Sequence, residues 1–133
     1  MQDTSRITPK FIKELKENEI FVFGSNLKGY HGGGAAAYAA NKFGAVWGQG
    51  VGLQGQSYAI PTMQGGPNTI EPYTKDFIKF ARNHPEYQFL VTEIGCGIAG
   101  FKPTDIAPLF VDAAEMKNIS LPESFWEVIE KND

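Results

Sequence analysis

The chain has 133 residues, 42% of them hydrophobic and 20% charged, with a formal net charge of −3. This length predicts one domain, residues 1–133, that buries a core without disulfides, and the one cysteine, Cys96, excludes both an intrachain disulfide and a cysteine-based zinc site. Because the Lys and Arg residues are few and scattered, the composition also excludes a basic surface for nucleic acid or anionic lipid.

Short apolar runs alternate with helical patterns along the chain. In chain order, the spacing predicts a helix over 8–16, a strand over 20–23, a helix over 35–43, a strand over 57–60, a helix ending near 84, a strand over 89–94 and helices over 103–117 and 122–130. The first helix is predicted from Thr8-Pro9 followed by apolar residues at helical spacing. Strands that alternate with helices in this way predict an α/β domain with mostly parallel strand pairing.

Glycine is the most unusual feature of the composition. Fifteen of the 133 residues are glycine, and 12 of these lie between Gly24 and Gly66; the usual share is about 7%. Two glycine-rich loops, around Gly32–Gly34 and over Gly95–Gly100, each follow a predicted buried strand and precede a predicted helix. Ligands of open α/β sheets lie beyond the carboxyl ends of the strands, and backbone N–H groups at a helix start bind anions. The two loops therefore predict a diphosphate held from both sides, although each loop alone also fits a tight turn.

A third glycine-rich stretch contains the formal dinucleotide motif G-x-G-x-x-G, over Gly50–Gly55. That motif indicates a dinucleotide site only where it follows a strand and begins a helix. Here it precedes the predicted strand 57–60, so we interpret the stretch as part of the wall or cover of a cleft. Its glutamines, Gln49, Gln54 and Gln56, could hydrogen-bond a sugar or a base.

Three blocks of the sequence carry a recognisable order of elements. Residues 22–36 contain a strand, an asparagine, a glycine-rich loop and a helix; residues 56–62 end a strand in Pro-Thr; residues 91–103 lead from a strand through Gly-Cys-Gly to an aromatic residue and a proline. Together, over 20–117, these blocks resemble the macro domain family, the α/β/α modules that bind ADP-ribose. The run 48–62 also resembles a small subfamily of macro-like bacterial and phage proteins. The resemblance implies a three-layer α/β/α fold with a mixed, mostly parallel central sheet.

The resemblance also implies roles for individual residues. Asn26 matches the family asparagine that contacts a ribose next to the diphosphate, and Phe101 matches the aromatic residue beside the ribose or adenine. Gly32–Gly34 match the first phosphate loop, and residues 97–100 match the second. The expected ligand-binding set is Gly24, Ser25, Asn26, Gly32, Gly33, Gly34, Ala35, Gly95, Cys96, Gly97, Ile98, Ala99, Gly100 and Phe101. The expected ligand is ADP-ribose or a related nucleotide, and an ADP-ribosylated protein is a further expected partner.

Catalytic residues are less clearly marked than binding residues. Hydrolytic members often have an acid directly after the glycine triplet or an Asp in the second loop, whereas residues 35–36 and Ala99 are alanine here. The candidates that remain are Asn26, His31 and Glu93. Asn26 would orient a ribose hydroxyl or a water, His31 would act as a general base or bind phosphate, and Glu93 would move a proton or hydrogen-bond a base.

Each of these candidates also has a structural alternative. Asn26 could stabilise its own loop as an Asx turn, His31 could be an exposed loop histidine without a function, and Glu93 could form an ion pair. Cys96 precedes a predicted helix, where a thiol pKa can be lowered, but it has no evident histidine partner for nucleophilic catalysis. Phe125 either packs in the core or forms part of a dimer patch.

We therefore expect a protein that binds ADP-ribose or a related nucleotide diphosphate between the two loops. Weak hydrolysis of ADP-ribosyl linkages is an extension that the missing acids disfavour, and the alternative is a non-catalytic interaction or sensing protein that uses the cleft for another ligand. No apolar run reaches the roughly 20 residues that span a bilayer, and residues 1–10 lack the apolar segment of a signal peptide. We expect a cytoplasmic location, no cofactor or metal, and neither nucleic acid nor membrane as a partner.

Overall fold

The computed structural model describes residues 6–131. Its elements are β1 Glu19–Ser25, α1 Gly34–Lys42, β2 Gly52–Gln54, β3 Ser57–Pro61, α2 Pro67–Arg82, β4 Gln88–Val91, α3 Pro103–Ile106, a 3₁₀ helix Ala107–Glu115, β5 Ile119–Ser120 and α4 Glu123–Lys131. The strands predicted at 20–23 and 57–60 are confirmed, as are the helices predicted at 35–43, before 84 and at 122–130. The short strands β2 and β5 carry no clear signal in the sequence.

Within residues 6–131 the strands form one sheet in the order β2-β3-β1-β4-β5. The strands β3, β1, β4 and β5 run parallel, whereas β2 forms an antiparallel hairpin with β3. The predicted α/β class with a mixed, mostly parallel sheet is therefore confirmed. Because β1 lies between β3 and β4 and all three run in one direction, the segments that follow them emerge at the same edge of the sheet.

Successive residues of the strands face opposite sides of the sheet. Ile20 and Val22 belong to a large apolar cluster with residues of α2, the 3₁₀ helix and α4. Phe21 and Phe23 belong to a smaller cluster with residues of α1. Phe125 is fully buried in the large cluster. Of the two positions considered for it, the core and a dimer patch, the structure shows the core.

The helix predicted over 8–16 is wrong, because this segment contains no helix in the structure. Ile7 instead forms a parallel bridge with Leu121, and Thr8 N donates to Leu121 O at 2.9 Å. Farther along, Tyr38 Oη donates to Ile12 O at 2.6 Å. The segment is extended because its backbone groups bond to the edge of β5 and to α1 rather than to one another, a tertiary effect that outweighs the local helical spacing.

The helix predicted over 103–117 is divided into α3 and the 3₁₀ helix. Pro108 lies at the start of the 3₁₀ helix, where it cannot donate a backbone hydrogen bond and its ring obstructs the preceding turn. The strand predicted over 89–94 is also shorter, since β4 ends at Val91. Among the helices of residues 6–131, none has both the length and the apolar character needed to cross a membrane.

Candidate functional site

The two glycine-rich loops meet at the edge of the sheet where β1, β3 and β4 end. They enclose a small cavity of about 250 Å³. Of the residues predicted to bind a ligand, those that line it are Gly24, Ser25, Asn26, Gly33, Gly34, Ala35, Gly95, Gly97, Ile98 and Ala99. The structure therefore brings together two loops that lie about 60 residues apart, as expected for loops after adjacent parallel strands.

The first loop ends at the N-terminus of α1. Gly33 is the N-cap residue with extended backbone (φ −156°), and Gly34 begins the helix with φ +58°. Ala37 N donates to Gly33 O at 3.2 Å, whereas the N–H groups before it have no partner inside the helix. Because α1 has no acidic residue in its first turn, no side chain of that turn offsets the partial positive charge at this end of the helix.

The second loop also contributes to the lining of the small cavity, through Gly95, Gly97, Ile98 and Ala99. Phe101 N donates to Gly95 O at 2.8 Å and Gly100 N donates to Gly97 O at 3.0 Å, which closes the loop on itself. In the described part of the chain, no acceptor bonds to the N–H groups of Gly97, Ile98 or Ala99. Consecutive backbone donors without a partner are suited to a phosphate or another anion.

A large cavity of about 810 Å³ adjoins the small one. Its walls are the N-terminal segment 7–13, the first turns of α1, and residues 122–127 at the start of α4. Phe21 and Tyr38 contribute aromatic surface to it. Four residues line both cavities and so mark their junction: Gly34, Ala35, Thr92 and Glu93.

Asn26 lines the small cavity, and its amide also organises the first loop. Its Oδ1 accepts a hydrogen bond from Tyr30 N at 2.8 Å, and its Nδ2 donates to Tyr30 O at 3.0 Å. Through these contacts Asn26 stabilises its own loop, which is the structural alternative considered for it beside a ligand contact. A contact with a ribose, as the resemblance implies, remains a prediction.

His31 is buried, so the structural alternative of an exposed loop histidine is wrong. Its Nε2 lies 3.2 Å from Gln54 Oε1, and its ring meets the Phe23 ring edge-on at 5.4 Å. His31 lines neither the small nor the large cavity. The structure therefore does not bring this candidate general base to the place where the two loops meet.

Glu93 lies at the junction of the two cavities, beyond the end of β4, and its side chain is exposed. Glu93 therefore does not belong to the strand, although the strand predicted over 89–94 includes it. Its Oε2 accepts a hydrogen bond from Ser124 Oγ at 2.6 Å. The salt bridges found within residues 6–131 join other residues, so the ion pair considered for Glu93 is not formed there.

Four residues of the expected binding set do not line the small cavity: Gly32, Cys96, Gly100 and Phe101. Phe101 and Cys96 pack against the large apolar cluster beneath the second loop. Burial, together with the nearby Glu93 and Asp105 carboxylates, raises the pKa of the Cys96 thiol to about 11. The environment of Cys96 is therefore the opposite of one that activates a thiol.

The third glycine-rich stretch packs against the backbone of the segment that leads into the first loop. Gly50 lies against the carbonyl groups of Asn26 and Leu27 so closely that a side chain would overlap them, and Gly48 N donates to Gly29 O at 2.9 Å. The motif over 50–55 leads into the β2–β3 hairpin and begins no helix, which agrees with its rejection as a dinucleotide motif.

The glutamines of this stretch bind the protein's own backbone. Gln54 Oε1 accepts from Val46 N at 2.7 Å, and its Nε2 donates to Gln49 O at 3.1 Å. Gln49 Nε2 donates to Leu53 O at 3.0 Å, and Gln56 Nε2 donates to Lys16 O at 3.0 Å. None of the three lines either cavity, so the structure assigns them to loop support.

The rim of the small cavity includes residues that were not predicted. Tyr30 and Met63 line the cavity with side chains that are about half exposed, and Trp47 stacks on Tyr30 at 5.6 Å between ring centroids. Met63 and Thr92 follow the ends of β3 and β4, so the rule that places ligands beyond parallel strands would have identified them. Within residues 6–131, no three His, Cys, Asp or Glu side chains group as metal ligands.

Comparison of the chain with protein-family models, with curated proteins and with solved structures finds no match. Its function therefore has to be inferred from the residues that line the two cavities. Those residues provide backbone N–H groups in the small cavity, apolar and aromatic surface in the large one, and a carboxylate between them.

Proposed function

We propose that this protein binds ADP-ribose or a related nucleotide diphosphate, with a macro-like three-layer fold as its scaffold. The observation that carries the proposal is the pair of glycine-rich loops that line one small cavity and contain backbone N–H groups without a hydrogen-bond partner. A diphosphate placed there would be held by backbone donors and by the N-terminus of α1, without basic side chains. This accounts for an anion site in a protein of net charge −3.

The large cavity supports the nucleoside part of the ligand. Its volume of about 810 Å³ falls in the usual range for sites that hold small molecules. Phe21 and Tyr38 offer apolar surface for a base, and Asn26 lies at the other side, where a ribose beyond the diphosphate would emerge. The ligand would therefore extend from the large cavity, past Glu93, into the small one.

Binding is better supported than turnover. Residues 35–36 and Ala99 have no side-chain group that could transfer a proton, and His31 lies outside both cavities. Glu93 is the one candidate base whose carboxylate lines the cleft. We therefore propose a binding protein, and expect no release of ADP-ribose from a modified protein during long incubation.

Calorimetric titration with ADP-ribose, ADP, NAD and AMP tests the proposal, and Gly33→Val locates the ligand. Gly33 has extended backbone that valine adopts freely, but its side chain would project toward Ile98 Cδ1, 3.3 Å from an added Cβ, and narrow the cavity. We expect the Kd for ADP-ribose to rise about tenfold or more, equivalent to about 1.4 kcal/mol.

Gly66→Val is the matched control, because Gly66 is the N-cap residue of α2 and lies outside both cavities. It should leave the Kd unchanged. No heat with any of the four ligands at high micromolar concentration would refute the proposed function. Unchanged affinity in a folded Gly33→Val protein would show that the ligand binds elsewhere.

A further inference from the structure

The junction between the two cavities is formed by the four residues that line both of them. Gly34 and Ala35 belong to the start of α1, and Thr92 and Glu93 follow the end of β4. Thr92 Oγ1 donates to Val22 O at 2.7 Å, so this hydroxyl is bound to the sheet. Glu93 therefore supplies the side-chain acceptor that a ligand passing through the junction would meet.

The carboxylate of Glu93 is held in place on one side only. Ser124 Oγ donates to its Oε2 at 2.6 Å, which orients the group from the start of α4. Within residues 6–131, Glu93 Oε1 accepts no hydrogen bond and no Lys, Arg or His nitrogen lies within 4.0 Å. The free oxygen and the uncompensated negative charge remain available to a ligand.

We propose that Glu93 selects the ligand by the nucleoside ribose, accepting hydrogen bonds from its 2′- and 3′-hydroxyls and excluding a ribose that carries a phosphate there. The inference rests on the proposed function, because a diphosphate in the small cavity and a base in the large one place the connecting ribose at this junction. Hydroxyl donors to a carboxylate form strong hydrogen bonds, whereas a phosphate would place like charges together.

The charges of the large cavity favour the same selection. Its lining contains Lys10 and Lys13, but also Glu123 and Glu127 in addition to Glu93. These side chains together have a negative balance, so the large cavity has no excess of positive charge that would attract a second phosphate. The anion site of the cleft is therefore confined to the backbone donors of the small cavity.

The test compares the Kd of ADP-ribose with that of its 2′-phosphorylated form, by calorimetry, for the full chain and three variants. The unmodified chain should bind the 2′-phosphorylated ligand about tenfold more weakly or worse, since like charges are brought together.

Glu93→Gln keeps an acceptor oxygen but removes the charge, so the difference in Kd between the two ligands should shrink several-fold. Ser124→Ala should weaken ADP-ribose binding a few-fold while the preference against the 2′-phosphate persists. Glu130→Gln removes a charge from the exposed surface of α4 outside both cavities and should change neither Kd.

The outcomes separate the two proposals. If the unmodified chain binds neither ligand, the proposed function fails and this inference fails with it. If it binds both ligands equally, or if Glu93→Gln weakens both in the same proportion, the inference is overturned while the proposed function stands. A ratio that moves toward equality in Glu93→Gln, but not in Glu130→Gln, supports it, because a merely structural role of Glu93 would not alter the preference between two ligands.

Discussion

Glycines that are alike in the sequence serve different purposes in this protein. Gly33 has extended backbone that any residue adopts, and its importance is the open space it leaves in the small cavity. Gly95 has φ +76° and lies 3.2 to 3.4 Å, measured from an added Cβ, from Phe101 and Ile106, so it is required by the turn itself. Gly50 is required by close contact between two backbones. Only the first kind of glycine makes a direct test of ligand position.

Cys96 provides a test at the same scale. Its pKa is raised from 9.0 to about 11, first by burial and then by the negative charges of Glu93 and Asp105. At neutral to mildly alkaline pH, the folded protein should therefore contain about a hundredfold less thiolate than an ordinary thiol would. We expect alkylation by iodoacetamide at pH 8 to be slower by about that factor in the folded protein than in urea.

The pH profile of the same reaction gives the control. The folded state binds the Cys96 thiol proton more tightly than the unfolded state does. The protonated thiol therefore stabilises the folded protein fully below pH 9, and this stabilisation is lost as the pH rises toward about 11. Alkylation in the folded protein should accelerate over that interval, whereas in urea it should accelerate near pH 9. Equal rates in the folded and unfolded states at pH 8 would contradict the burial of this thiol.

Among the elements, the third glycine-rich stretch acts through its contact with the first loop. Gly29 and Gly50 lie where the two segments cross, and each has backbone atoms of the other segment within the space of a Cβ. Gln54 strengthens the contact, since its Oε1 lies 3.2 Å from Nε2 of His31 in the first loop. The first loop therefore keeps its shape only while the stretch behind it is intact.

Gly50→Ala tests this dependence. The added methyl group would overlap the carbonyl oxygens of Asn26 and Leu27, so one of the two segments has to move. We expect a loss of about 1–3 kcal/mol in the free energy of unfolding, as for other overpacked sites, together with weaker ADP-ribose binding. Urea unfolding followed by calorimetry measures both.

The matched stability control is Gly32→Ala, because a Cβ at Gly32 meets no heavy atom within 4 Å and its φ is not in the left-handed region. Its unfolding free energy should stay within about 0.5 kcal/mol of the original. A Gly50→Ala protein as stable as Gly32→Ala would show that the two segments are not in close contact.

At the scale of the whole molecule, the two faces of the sheet are covered unequally. The large cluster joins β1, β3, β4 and β5 to α2, the 3₁₀ helix and α4, whereas the smaller one has α1 and the extended N-terminal segment as its cover. The large cavity lies beside this thinner cover, between the N-terminal segment and α4. We therefore expect the large cluster, rather than the thinner cover beside the large cavity, to provide most of the stability.

Two phenylalanines test this division. Phe125 is fully buried in the large cluster, whereas Phe11 in the N-terminal segment is 86% exposed. We expect Phe125→Ala to cost about 3–5 kcal/mol in urea unfolding, because it leaves a cavity in the core. Phe11→Ala should change the unfolding free energy by no more than about 0.5 kcal/mol. Similar losses in both variants would mean that the N-terminal segment is part of the main core.

The sequence by itself determined the α/β class, most of the helices and strands, and the place of the two glycine loops. The apolar run Ile20–Phe23 and the helix-forming segment 35–43 before Gly44 are local signals. From them, the rule that ligands bind beyond the ends of parallel strands predicts a cleft at the two glycine-rich loops. It could not determine the side chains that contact each other across long stretches of chain. The bridge of Ile7 to Leu121, the pairing of His31 with Gln54 and the contact of Ser124 with Glu93 depend on register and packing between distant elements, which no local pattern encodes. For that reason only the tertiary structure shows that His31 lies outside the cleft and that Glu93 lies at the junction of the two cavities.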